Sequence, residues 1–176
     1  MDNDVTPNLY STAAERILQN LHDNFKDEFK EYFFGDPFAI PISQLPCVIV
    51  DITTSHNEFG PTGMDRLTQS ITINVVLNKR DDFGGDTSVS VTKKKLIDYM
   101  EARDDTTKQY LPSSVLGVVR TYLTLYEQES QNLMVNSVSD VRYGMTNRSS
   151  DQYDTLAAEA AVTITTTELV RVDNRT

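Results

Sequence analysis

The chain has 176 residues, with 16 Lys and Arg against 26 Asp and Glu, and a formal charge of −10. That length allows one domain with a sizeable core. The acidic balance argues against duplex DNA as a ligand, because phosphate binding needs clustered cations to displace counterions. It argues against an anionic membrane surface for the same reason. No apolar run approaches the ~20 residues of a membrane span, and the polar, acidic opening MDNDVTPNLYST does not read as a secretory signal.

The first expected element is a helix. Thr12-Ala13-Ala14-Glu15 fits a capping box. Ala14, Ile17, Leu18, Leu21, Phe25, Phe29 and Tyr32 follow at spacings of three and four, which predicts one apolar stripe running until Gly35-Asp36-Pro37 stops it. Lys26, Asp27, Lys30 and Glu31 occupy the opposite side. Pro41 and Pro46 then exclude regular pairing before residue 47, so a strand is expected at about 47–54. Cys47 sits inside its apolar run LPCVIVDI and reads as plain core. As a lone cysteine it offers no disulfide framework and points to a reducing compartment. The stretch SHNEFGPTGMDR reads as a loop with Gly60-Pro61 and Gly63 as turn residues.

Residues 66–80, RLTQSITINVVLNKR, alternate with period two. Leu67, Ile71, Ile73, Val75 and Leu77 fall on one parity, and Thr68, Ser70, Thr72, Asn74 and Asn78 on the other. The strand is far longer than the usual five or six residues, and its second face is polar almost without charge. DDFGGD (81–86) makes the next turn. Val89, Thr92, Leu96, Ile97 and Met100 predict a second helix starting near Thr87 or Ser88. Residues 104–112 read as loop. The segment 113–130 fits either a short helix capped by Ser113, carrying Val115, Leu116, Val119 and Leu123, or a strand. Residues 133–145 alternate loosely as a strand, and TNRSSDQYD is a polar turn. From about 156 the last strand sets Leu156, Ala158, Ala160, Val162 and Ile164 on one parity. Thr155, Glu159, Thr163, Thr165 and Thr167 share the other. The helix-prone TLAAEAA leaves its start uncertain by a few residues. The order predicts an α+β domain over 11–170, one antiparallel sheet with helices packed on it. Flexible ends are expected at 1–10 and 171–176.

The inventory for catalysis is thin. His22 reads as a helix-surface residue. His56, in SHNEFG with Glu58 nearby, lacks the second His or Cys that a metal site would want. A Ser/His/Asp arrangement stays open, since triads assemble across a fold, but there is no G-x-S-x-G elbow and no phosphate-cradling G-x-x-x-x-G-K-[ST]. Asp81, Asp82 and Asp86 lack the ladder of oxygens a calcium loop requires, and read as a solvated turn. No cofactor is expected. Lys93-Lys94-Lys95, with Lys79 and Arg80, form one basic patch. It is either a solvated helix face or a docking site for an acidic neighbour, such as another copy of this −10 chain.

Several phrases resemble the tail-terminator and tail-completion (neck) proteins of tailed bacteriophages. An amphipathic N-terminal helix leads through FGDPFAIPISQLPCVIVD. The loop TSHNEFGPTG (54–63) directly precedes the long strand, and YLPSSVLGVVR (110–120) precedes the return strands. VRYGMTNR then leads, across a polar turn, to YDTLAAEAAVTI. The likeness spans residues 10–168 and consists of loop-and-strand grammar without a catalytic signature. The resemblance implies a structural virion subunit, not an enzyme, assembling as a ring, commonly a hexamer, at the head-proximal end of the tail tube. Such a ring ends tube growth and joins tail to head. Its partners would be copies of itself, the tail tube protein, and the sheath or neck adaptor protein, with DNA passing through unbound. A head-completion role on the portal side is a close alternative. A small hydrolase using His56 with Glu58, or a monomeric ligand-binding module, belongs to other classes. Bottom-up, a strand pair running past its own core offers edges and a Thr-rich face to a neighbour. The expected contact surfaces are Lys79, Arg80, Asp81 and Asp82 at the hairpin tip, the loop Ser55 to Gly63 with His56 and Glu58, and the strand face Thr163, Thr165 and Thr167. Lys93 to Lys95 are a further candidate.

Overall fold

The computed structural model describes residues 12–60, 63–78, 89–121, 133–146 and 157–171. The first helix, α1 (Ala13–Phe25), starts as its sequence dictates. The Glu15 backbone N–H donates to the Thr12 hydroxyl at 3.2 Å, and the Thr12 N–H donates to the Glu15 carboxylate at 2.7 Å. Both N-terminal donors are thereby satisfied. Ala14, Ile17, Leu21 and Phe25 are buried along one stripe.

The helix ends well before the expected Gly35. Lys26 takes a positive φ of 43°, one short 3₁₀ turn (Lys26–Glu28) follows, and the chain enters a strand, β1 (Glu31–Phe34). The aromatic spacing misleads because Phe25, Phe29 and Tyr32 all reach the same core, Phe25 from the helix, Phe29 from the turn and Tyr32 from the strand. Phe29 is buried, and its ring meets that of Phe25 at 5.2 Å. Tyr32 reaches the same core from the strand, and its hydroxyl donates to the Lys26 carbonyl at 3.0 Å.

β2 (Cys47–Glu58) and β3 (Met64–Asn78) pair antiparallel from Cys47↔Val76 to Glu58↔Arg66. The expected loop at 55–66 therefore narrows to a turn after Glu58. Ser55, His56, Asn57 and Glu58 are exposed, so no apolar alternation marks them; main-chain pairing to Arg66 through Gln69 makes them strand. At that turn Gly60 is required sterically, since a Cβ there would run into the Met64 carbonyl.

α2 (Val89–Glu101) lies where its stripe predicts, with Thr92, Leu96 and Met100 buried. The ambiguous segment 113–130 opens as helix α3 (115–121). Its cap is Ser114, one residue after the expected one, whose hydroxyl accepts from the Gly117 N–H at 3.1 Å. Residues 133–145 form two strands rather than one, β4 (Leu133–Val138) and β5 (Arg142–Thr146), broken at Ser139-Asp140. The last strand, β6 (Ala157–Arg171), resolves the choice between helix and strand, and Arg171 belongs to it rather than to a tail. The expected flexible ends at 1–10 and 172–176, the turns at 81–86 and 147–154, and residues 122–130 lie outside the described residues.

The result is an α+β fold with one mixed sheet, in the order β1-β2-β3-β6-β4, β5 also pairing with β6. All pairs are antiparallel except β1 with β2. The three helices cover one face. Leu21, Leu96 and Val115 share a core there with Ile71, Ile73, Val75 and Leu77 of β3 and with Ala158, Ala160, Val162 and Ile164 of β6. The other face carries a second, smaller core at one end, where Ile40 and Leu45 fold over Cys47, Ile49, Val76 and Ala157. Cys47 is fully buried, as its apolar run implies. Asn74 and Asn78 are buried as well, so the second face of β3 is polar and open over only part of its length. Among the described residues, no helix is long and apolar enough to cross a membrane.

Replacing Leu21, fully buried between α1 and the sheet, by Ala is expected to lower unfolding free energy by about 2–5 kcal/mol, read from the urea midpoint.

Candidate functional site

The sheet changes character along its length. At one end both faces are covered. Toward the turn after Glu58, β2, β3 and β6 run on past the small core, and no described element lies over the face opposite the helices. At a rise of about 3.3 Å per residue, β3 and β6, each 15 residues, extend for roughly 50 Å.

Register turns this open half into rows of hydroxyls. Thr54 of β2, Ser70 of β3, Thr165 of β6 and Ser137 of β4 lie side by side across four strands. The next row is His56, Thr68, Thr167 and Met134; the row on the other side is Asp51, Thr72 and Thr163. Cross-strand pairs hold the hydroxyls: Thr68 with Thr167 at 3.1 Å, and Thr72 with Thr163 at 3.1 Å. The Asn136 amide donates to the Thr167 hydroxyl at 2.6 Å. Such pairs each contribute a few tenths of a kcal/mol up to about 1, and they fix rotamers that would otherwise be lost on docking.

At the far end of this face Phe59 at the turn is 89% exposed, Met134 of β4 and Leu169 of β6 are exposed, and Val170 is exposed on the helix side. Between them, the Glu58 carboxylate lies 3.8 Å from the Arg66 guanidinium and 3.6 Å from the His56 ring, all three side chains more than half exposed. Exposed pairs of this kind stabilise little.

The expected contact residues therefore separate. His56, Glu58, Thr163, Thr165 and Thr167 share one face. Lys93, Lys94 and Lys95 stand on α2, in the helix layer across the sheet; Lys93 and Lys94 are exposed and the Lys95 ammonium lies 5.9 Å from the Tyr99 ring. Lys79, Arg80, Asp81 and Asp82 lie outside the described residues. The sequence alone does not reveal the contribution of β4, Met134, Asn136 and Ser137, because a register shift between Val135 and Ser137 breaks the alternation that would have marked it.

Among the described residues, clefts lie in the helix layer. One, of about 600 Å³, runs between α1 and β1 and is lined by Leu18, His22, Tyr32 and Phe34. Burial, then the nearby Glu28 and Asp27, push the Tyr32 hydroxyl up to about 12. The other, of about 280 Å³, lies among Glu101, Arg103, Tyr110, Arg120 and Asp140. Beside it the Tyr143 hydroxyl donates to Glu101 at 2.6 Å, and burial together with that bond raises its pKa. Among the described residues, no group of three or more His, Cys, Asp and Glu is placed to hold a metal ion.

In comparison with known proteins, no family model matches this chain and no curated protein matches it.

The hydroxyl ladder makes a mutational signature. Thr72→Val alone strands the half-buried Thr163 hydroxyl and is expected to cost about 1 kcal/mol or less, whereas Thr72→Val with Thr163→Val returns stability to near wild type. Urea unfolding of the single and double variants reads the difference.

Proposed function

We propose that the chain is a structural virion subunit, without catalytic activity, that assembles as a homo-oligomeric ring at the head-proximal end of a phage tail. The observation that supports this reading is the uncovered half of the sheet: an ordered hydroxyl face, charged only at its margins by Asp51 and by Glu58 with Arg66, where Met134 and Leu169 are exposed. Thr and Ser pack and hydrogen-bond across an interface without the desolvation cost of full charges. The resemblance of residues 10–168 to tail-terminator and tail-completion proteins supplies the biological setting: a ring, commonly hexameric in that group, that ends tube growth and joins tail to head. A net charge of −10 suits a passage through which like-charged duplex slides without sticking. In that setting the turn end of the sheet is the surface for the tube protein or for a sheath or neck partner, and a portal-side adaptor role uses the same surfaces.

Counting subunits in electron micrographs of the purified oligomer tests the reading directly. A closed ring is expected; a strict monomer at every concentration overturns it. The 3.6 Å approach of His56 Nε2 to Glu58 Oε1 is what favours a hydrolase instead. Under the ring reading, His56→Ala leaves assembly intact and removes no turnover of generic ester substrates; under the hydrolase reading, turnover is lost.

If Lys93, Lys94 and Lys95 meet an acidic neighbouring copy, that contact weakens as the Debye length falls toward about 3 Å at 1 M salt. Sedimentation across a salt series is expected to show dissociation, and salt-independent assembly excludes the lysines from the contact.

A further inference from the structure

We propose that the outer edge of β2 is a contact between two copies of this chain, residues 54–58 of each pairing antiparallel about a two-fold axis through His56. The contact does not depend on the ring reading above. An isologous pair closes at two copies, and between rings it joins one ring to another.

The edge opens where β1 stops. β1 covers β2 only from Cys47 to Val50. The Gly35 N–H donates to the Val50 carbonyl at 2.8 Å, and Gly35, at a φ of 84°, turns the chain away. From Thr53 to Phe59 every residue is exposed. The pairing with β3 fixes which main-chain groups face out. The Ser70 carbonyl faces β2, where the Thr53 hydroxyl donates to it at 3.1 Å. Residues along an antiparallel strand alternate between bonding to the neighbour and pointing away from it. Thr54, opposite Ser70, therefore bonds to β3, while Ser55 and Asn57 point their N–H and C=O groups outward. Among the described residues, no main-chain group meets them there. A row of open donors and acceptors is a template for another strand.

A second copy of the same edge fits that template. In the register that overlaps the whole of 54–58, Ser55 faces the other copy's Asn57, twice by symmetry, and each such pair exchanges two main-chain hydrogen bonds. Thr54 faces Glu58, so the carboxylate meets a hydroxyl. His56 faces itself, each ring staying 3.6 Å from its own Glu58. Asp51 lies before the register shift at Thr53, outside the overlap. No two carboxylates therefore stand opposite each other, the arrangement that destabilises strand pairs. The overlap also carries each Phe59, 89% exposed, along the edge toward Ile52 and the half-exposed Phe34 of the other copy. These side chains add the apolar area that a short ladder lacks.

Cysteine variants of the full-length protein read both the contact and its register. The axis sets residue 56 opposite itself in a non-hydrogen-bonded pair, with Cα atoms about 4.5 Å apart, within disulfide reach. The native Cys47 is buried. Under mild oxidation His56→Cys is expected to give a disulfide-linked dimer on a non-reducing gel, at a concentration where Ser55→Cys and Asn57→Cys stay unlinked. Linkage through Ser55→Cys or Asn57→Cys instead overturns the register. Equal linkage of all three marks random collision and overturns the proposal, as does no linkage at all. Ser55→Pro removes an outward donor and leaves the β2–β3 ladder its bonds. Sedimentation is expected to show its dimer dissociating at least tenfold more readily than wild type, and an unchanged dimer counts against the contact. If a variant misfolds, hydrogen exchange on the wild-type protein decides: slowed exchange at Ser55 and Asn57 on concentration is expected, and unchanged exchange there overturns the proposal. Rings that persist without His56→Cys linkage remove this contact and leave the ring reading standing, whereas linked dimers that never form rings do the reverse.

Discussion

The pairing of β3 with β6 is the constraint on which the rest of the structure depends. It runs unbroken through 15 residues, from Met64↔Arg171 to Asn78↔Ala157, without the register shifts seen in the flanking pairs. Since side chains alternate with period two, a one-residue slip in this ladder would move Ile71, Ile73, Val75 and Leu77 from the helix-side core to the opposite face. The apolar parity of both strands forbids that slip, and every other element takes its position from the pair.

The same ladder explains why the two halves of the sheet differ. At the end near Asn78, small residues on β6, Ala157, Ala158, Ala160 and Ala161, leave room for covering layers on both sides. Toward Met64, threonines replace the alanines, the helices end, and the β2–β3 hairpin continues on main-chain hydrogen bonds and paired hydroxyls. A strand pair held in this way keeps its shape without a second core. It is therefore able to present a rigid surface to another molecule at low entropic cost.

The register shifts at Thr53 and Asn136 flank this surface on both sides. Such bulges twist and shorten edges and protect against indiscriminate pairing. A formal charge of −10 makes close approach of two copies unfavourable wherever their acidic surfaces face each other.

Much of the fold was legible in the residues themselves. The capping box at Thr12, the parity of residues 66–78, the stripe of α2 and the Thr/apolar alternation after Ala160 are local patterns, because capping, helical spacing and strand alternation are local physics. The hydroxyls Thr163, Thr165 and Thr167 could be assigned to one face for the same reason. Only the tertiary structure decided what depends on partners distant in sequence. Tyr32 continues the helical spacing of Phe25 and Phe29 yet stands in a strand because Val48 of β2 is its neighbour; Ser55 to Glu58 are strand only because Arg66 to Gln69 pair with them. Asn74 and Val76 became buried because the Ile40–Leu45 segment folded over them. And the row that unites Thr54, Ser70, Thr165 and Ser137 exists only in the register of four strands, where no single segment carries its pattern.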